Sequence, residues 1–286
     1  MNSLIPVRGN RSPACGQWLI LDLPKGGRYR AREMPATTCI LPSRQSLPGR
    51  TRHTSPQHAA PTGIASVPEL GTYYDALFRS HGPQYWWPGR TRFEIIVGAI
   101  LTQNTSWSNV ERAISELRGA KLLSAAAIED VSLSRLARLI RSSGYFRQKA
   151  RKIKEFVRYL RVHHRGSLDR MFRTPTQALR EQLLKVHGIG PETADSILLY
   201  AGKRAVFVVD AYTRRILERH QLASGKESYD HIRALFERSL PADPVLFNEY
   251  HALIVRTGKD YCRKREPDCQ HCALRPFLPA PLEVRS

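Results

Sequence analysis

No stretch of this 286-residue chain approaches the ~18 uninterrupted apolar residues of a membrane span, which excludes a helical transmembrane protein. Arg8 and Arg11 have no apolar run behind them, so the N-terminus does not read as a secretory signal. Cysteine is scarce, five residues in all, and too unevenly placed for a disulfide scaffold. The alternation of an all-β protein is missing, as are a βαβ rhythm and any internal repeat. Acidic residues are also short: 25 Asp+Glu face 45 Lys+Arg, a formal net charge of +20. That imbalance makes a polyanion, DNA or RNA first, the expected partner class. The rest of the composition, 42% hydrophobic and 24% charged, is that of a globular protein with one large domain or two small ones.

The basic excess is not confined to one end. Residues 1–66 hold eight of the 19 prolines and nine basic against two acidic residues, with apolar residues only in short pieces such as Trp18–Leu21. Such a segment cannot bury enough surface to offset its ordering entropy and reads as a disordered basic tail. It could be a nucleic-acid arm, a targeting leader, the product of an upstream start codon or an inert extension. Without it, 36 basic and 23 acidic residues remain, so the body alone carries the polyanion argument.

From Val67 the pattern turns helical. Phe93–Leu101 is apolar nearly all round, as a central core helix would be. Ile153, Phe156, Val157 and Leu160 recur at helical spacing. Lys149, Arg151, Lys152, Lys154, Arg158 and Arg161 lie between them and predict a basic outer face on a helix over Arg147–Arg165. Thr174, Pro175 and Gln177 predict a capping box, and Asp243-Pro244 predicts another helix start. Val206–Val209 is a candidate strand without a partner run. The fold class is all-α.

Leu183–Asp210 is the most informative stretch. A helix through Leu179, Leu183 and Leu184 breaks at Gly188-Ile189-Gly190, and a second starts at Pro191 with Ala194, Ile197, Leu198 and Ala201 on one face. Two glycines around a core-plugging Ile189 expose backbone N–H groups beside a helix N-terminus, a combination able to hold a phosphate without reading a base. A plain helix–turn–helix corner would need the same residues. Asp210 precedes a helix over Ala211–His220, where its ordinary role is an N-cap.

Taken together, the G-h-G hairpin (Gly188, Ile189, Gly190) and the acid about twenty residues later (Asp210, within Val208-Val209-Asp210 and before Arg214) resemble the helix-hairpin-helix (HhH-GPD) DNA glycosylases of the endonuclease III superfamily. The resemblance implies that Asp210 is catalytic. Cleaving an N-glycosidic bond builds positive charge on the deoxyribose, which a fixed carboxylate stabilises while orienting water. The base must first leave the stack, which needs a pocket and a wedge. Bifunctional members of the family carry a lysine just after the hairpin, at the position of Glu192 here. A carboxylate cannot form a Schiff base, so the resemblance implies a monofunctional enzyme without AP-lyase activity. In the first turn of a helix, Glu192 also suits the positive dipole end.

Trp86, Trp87 and Pro88 precede the apolar helix, and Leu101–Trp107 (LTQNTSW) follows it. Both segments resemble the 3-methyladenine branch of the superfamily. That resemblance implies a base pocket of Trp86, Trp87, Pro88 and Trp107, with Gln103 entering the gap left by the flipped nucleotide. Each tryptophan could alternatively be core, and Gln103 a helix-end polar residue. A 3-methylated adenine is cationic and already a good leaving group, and aromatic faces attract it by stacking and cation–π forces of about 0.5–2 kcal/mol per contact. Enzymes for oxidised or deaminated bases share the fold, and a non-catalytic DNA-binding protein keeping only the hairpin is the competitor from another class.

Near the C-terminus, Cys262-x6-Cys269-x2-Cys272 matches three ligands of the family's iron–sulfur loop, while the fourth position is Leu278. A [4Fe-4S] cube normally takes four ligands. Three readings stay open: a cluster with a non-cysteine fourth ligand, zinc with His271, or a loop without metal. Lys259, Arg263, Lys264 and Arg265 around this loop could clamp phosphate or form a solvated turn. Cys15 and Cys39 fall in the tail and carry no specific expectation.

The resemblance implies a two-lobed fold over residues 67–280 with a cleft between the lobes. One lobe is a helical barrel, 91–202, ending in the hairpin 179–202. The other combines 68–90 with 203–261, followed by the cysteine loop 262–278 and a short tail 279–286. The implied protein is a monomer acting in base excision repair on double-stranded DNA with a flipped base, away from any membrane. In a bacterium it would be cytoplasmic and nucleoid-associated.

Overall fold

Helix α2 (Arg92–Leu101) fixes the centre of the fold, because Phe93 through Leu101 are all buried. Thr91 caps it by accepting a hydrogen bond from the Glu94 N–H, and Arg118 pairs with the buried Glu94 at 2.8 Å. Around α2 pack α3 (Trp107–Gly119), α6 (Phe146–His164), α9 (Pro191–Ser196) and the π-helical turn Ile197–Ala201. The short helices α4 (Ala125–Asp130), α5 (Leu133–Leu139) and α7 (Leu168–Met171) lean on α6, and α8 (Thr176–Leu184) packs on α9. A second group joins α1 (Leu70–His81) to α10 (Ala211–Arg219), α11 (Tyr229–Ser239) and α12 (Pro244–Asp260). In this computed structural model residues 70–86 and 89–279 are described. The basic tail, Trp87 and Pro88 therefore lie outside the described residues. All regular structure among the described residues is helical, and no described helix is long and apolar enough to cross a membrane.

Local expectations meet three corrections. The Thr174 capping box does not form. Thr174 donates its N–H to Met171 O at 3.1 Å, closing the turn before it. Pro175 then stands at the N-cap with ψ 143°, and Gln177 binds Glu181 instead. Because Pro175 itself takes the extended N-cap conformation, the helix starts one position late.

On α6 the arginines Arg147, Arg151, Arg158 and Arg161 form the expected exposed basic face, but the lysines turn inward. Lys149 is buried, and its ammonium donates to Leu101 O (2.9 Å) at the end of α2 and to Ser143 O (2.6 Å) at the end of the 3-10 turn Arg141–Ser143. Burial, then the neighbouring Lys152, lowers its pKa to about 8. Lys152 binds Gln103, and Lys154 binds Glu129 O and Val131 O. Arg161 pairs with Glu129 at 2.7 Å. The long stems cross the helix surface to carbonyls that periodicity does not reveal.

Val206–Val209 is extended but forms no strand. Its amides bond side chains of α11: Phe207 N–H to Glu237 Oε1 at 3.0 Å and Val209 N–H to the Tyr229 hydroxyl at 3.3 Å. Phe207 stacks on Phe236 at 3.9 Å. The segment is thereby held straight up to Asp210 without a partner strand.

Candidate active site

The two helical groups face each other across a cleft of about 1260 Å³. Its walls include Trp86, Gln103, Trp107, the hairpin, Asp210 and His251. Residues more than 160 positions apart in sequence thus share one cavity.

The hairpin turn follows from Gly188, whose φ of +84° is strained for any side chain. A Cβ there would also lie 2.4 Å from Lys152 Cγ. Gly190 differs, because it sits at φ −91° as the N-cap of α9 with open space around it. Ile189 is buried as expected, and its N–H bonds Val186 O at 3.0 Å. Among the described residues no internal hydrogen bond uses the N–H of Gly188 or Gly190. Behind the hairpin, Arg180 of α8 grips Asp195 of α9 through two hydrogen bonds (2.7 and 3.1 Å) and reaches Asp230 of α11 at 2.7 Å.

Asp210 caps α10. Its Oδ1 accepts from the Thr213 N–H at 2.8 Å and the Thr213 hydroxyl at 3.0 Å, leaving Oδ2 3.5 Å from His251 Nε2. Burial pushes this carboxyl up, but His251 and the Thr213 donors outweigh it and hold Asp210 below its ordinary value. Its helix-capping role and a cleft position coexist in one side chain. Glu192 lines the same cleft. Loss of hydration, then the Asp210 charge, pushes its carboxyl up, against the pull of His251 and Arg214. Two carboxyl groups in one cleft are thus driven in opposite directions.

Trp86 and Trp107 lie in contact, centroids 6.1 Å apart and planes at 40°. Trp107 donates its indole N–H to Glu111 at 2.8 Å, and Asn248 donates to Trp86 O at 2.6 Å. Lys259, grouped by sequence with the cysteine loop, instead holds its ammonium 5.9 Å from the Trp86 centroid. Gln103 is tied to the hairpin, donating to Gly188 O (3.2 Å) and Thr193 Oγ1 (2.9 Å) while accepting from Lys152. Its neighbour Asn104 is exposed at φ +53°.

Sequence reasoning missed Lys152, Tyr200 and His251. The signal for His251 was a lone imidazole within the apolar run of α12, and for Tyr200 a phenol in the apolar stretch ILLYA.

Cys262, Cys269, Cys272 and Leu278 all line one small pocket beneath α10 and α12. The loop path of a four-cysteine site is present with a hydrocarbon at the fourth corner. Arg219 donates to Cys262 Sγ at 3.2 Å and to Arg263 O at 2.7 Å, while Arg215 donates to Cys262 O at 2.7 Å. His271 is exposed and not part of the pocket lining, and it pairs at 2.8 Å with Asp268, which is. Among the described residues no cluster of three or more His, Cys, Asp or Glu is placed to hold a metal. The residues present therefore do not fit a four-thiolate cluster or a Cys3His zinc site.

Residues 97–242 match the family profile described as HhH-GPD superfamily base excision DNA repair protein. A Methanocaldococcus jannaschii protein, provisionally described as a DNA repair glycosylase, is 46% identical over 206 residues, covering 71% of this chain and 93% of its own. Helicobacter pylori 3-methyladenine DNA glycosylase, solved with bound 1,N6-ethenoadenine, superposes with a TM-score of 0.58 at 28% identity over 67% of this chain and 98% of its own. An endonuclease III–DNA complex shares the fold, with a TM-score of 0.63 at 21% identity over 73% of this chain and 93% of its own.

Proposed function

The chain belongs to the HhH-GPD superfamily of base excision DNA repair proteins and is a DNA N-glycosylase, and from that premise we propose that it hydrolyses alkylated purines from duplex DNA without a lyase step. The observation that carries this reading is the placement of Asp210, capped by Thr213 and facing His251, in one cleft with Trp86 and Trp107, while Glu192 rather than an amine stands two residues after the hairpin. In the reaction the C1′–N bond breaks with its electrons leaving on the base. Asp210 balances the charge growing on the sugar and directs a water to C1′, whose proton it accepts. Glu192 carries no amine, so no covalent imine forms and the product is an intact abasic site.

The hairpin donors of Gly188 and Gly190 bind backbone phosphate, and Ile189 anchors them to the core. Trp86, Trp107 and, beyond the described residues, Trp87 and Pro88 hold the extruded base. The Helicobacter pylori enzyme was solved with an alkylated purine, which favours that substrate class. The protein acts as a monomer on double-stranded DNA.

The test is base release from duplexes carrying methylated, etheno, oxidised, deaminated or mismatched bases. Release of alkylated purines by wild type, its loss in Asp210→Asn, and no borohydride-trapped adduct are expected. Equal duplex binding with no release by wild type on any substrate would make the protein a binding module. A trapped adduct would overturn the monofunctional assignment.

A further inference from the structure

The Asp210 carboxylate does not stand alone. Behind its Oδ2 lies His251 of α12, nearly buried, with Nε2 3.5 Å away. The opposite ring nitrogen, Nδ1, is 2.6 Å from the hydroxyl of Tyr200, which is fully buried. Trp86, at the base-pocket end, interacts in turn with that hydroxyl.

Tyr200 reaches His251 because the helix after the hairpin changes pitch. Gly202 N–H bonds Ile197 O at 3.0 Å, a five-residue step that identifies Ile197–Ala201 as a π turn. Such turns insert one residue into a helix and rotate the side chains that follow.

We propose that Tyr200 and His251 form a positioning relay that fixes the imidazole with its proton on Nε2, directed at Asp210 Oδ2. This rests on the assignment of Asp210 as the group that assists hydrolysis. The argument is one of donors and acceptors. An indole nitrogen can only donate, so the Tyr200 oxygen is the acceptor in its interaction with Trp86. The Tyr200 proton is then free to donate to Nδ1. The other tautomer would set a bare Nε2 lone pair against a carboxylate oxygen, which is repulsive. Thr213 holds Oδ1, and a proton on Nε2 at 3.5 Å would give Oδ2 its donor in a site that would otherwise favour the protonated acid. The relay keeps the carboxyl ionised and unable to rotate while the sugar becomes cationic.

Other charged groups facing this cluster are Glu192 of α9, Arg214 of α10 and Lys259 of α12. Glu192 opposes ionisation of Asp210, whereas Arg214 and Lys259 favour it. None of them contacts Nδ1, so none can set the tautomer.

Nitrogen-15 NMR of the wild-type full chain reads the tautomer directly. A protonated Nε2 is expected at pH 7, and a protonated Nδ1 overturns the relay whatever the activity of the protein. Single-turnover base release from methylated duplex is then followed against pH. His251→Phe should slow it on the order of 10–100-fold, the factor one charge-assisted hydrogen bond carries, and move the acid limb to higher pH. His251→Gln, whose amide can donate from nearly the same place, should recover part of both changes. Tyr200→Phe should mix the tautomers in the NMR spectrum with a smaller loss of rate. An acid limb unmoved in a folded His251→Phe, with Asp210→Asn inactive, refutes the relay alone. Full activity in Asp210→Asn refutes the assignment of Asp210 beneath it.

Discussion

Replacing Arg180 by methionine removes the cation between the two hairpin helices and α11, and the outcome separates two accounts of that contact. The Arg180 side chain is 7% exposed and Asp195 is 0% exposed. Their bidentate geometry is that of an ion pair held by charge-assisted hydrogen bonds. Taking away one partner leaves Asp195 buried with the Tyr229 hydroxyl as a hydrogen-bond partner and Arg233 as the remaining nearby positive charge. Loss of one partner of a buried pair typically costs about 3–5 kcal/mol. For a folded body of this size that lowers Tm by on the order of 6–20 °C.

The pH dependence carries a sign. Burial pushes the Asp195 carboxyl up and Arg180 pulls it down. Without Arg180 its folded pKa rises further above the unfolded value of about 3.9. A group protonated more readily in the folded state loses stability as pH rises from its unfolded to its folded pKa. The deficit of Arg180→Met should therefore be largest at neutral pH and shrink on acidification. Adding Asp195→Asn removes the stranded charge and should restore much of the loss. Urea and thermal unfolding followed by circular dichroism, between pH 4 and 8, measure all of this. A single-variant cost under about 1 kcal/mol, or a double variant no better than the single, would refute a functional ion pair here.

Two further outcomes are expected. Gly188→Ala forces a left-handed backbone onto a Cβ that meets the Lys152 stem, so it should cost about 1–2 kcal/mol of stability and weaken duplex binding by displacing the hairpin. Unchanged affinity in a salt titration would remove the hairpin from the DNA contact. Leu278→Cys supplies the missing corner of the cysteine loop, so absorbance near 400 nm with bound iron and sulfide should appear in the variant after anaerobic purification but not in wild type. Equal iron in both would show that three thiols suffice.

Much of the architecture was legible because periodicity and turn chemistry are local signals. The nearly all-apolar Phe93–Leu101, the glycine break before Pro191 and Asp243-Pro244 each specify their element within about ten residues. The support of the site was less legible because its partners are remote. His251 is 41 positions from Asp210, and only the packing of α12 against α10 brings them together. The lysines of α6 misled for a related reason: charge suggests solvent, yet their stems carry the ammonium to helix-end carbonyls set by tertiary structure. Lys259 was grouped with its chain neighbours although its ammonium belongs to the cleft. Val206–Val209 has strand composition, but side chains of α11 satisfy its amides in place of a second strand.

The five-residue turn Ile197–Ala201 has one more consequence. Excising a single codon there would let the ordinary ladder close, keep the helix axis and bury the same hydrocarbon. The phenol would meanwhile swing about 100° around that axis. A chain shortened in this way would lose alignment at its carboxylate and repack a buried phenol at some cost in stability.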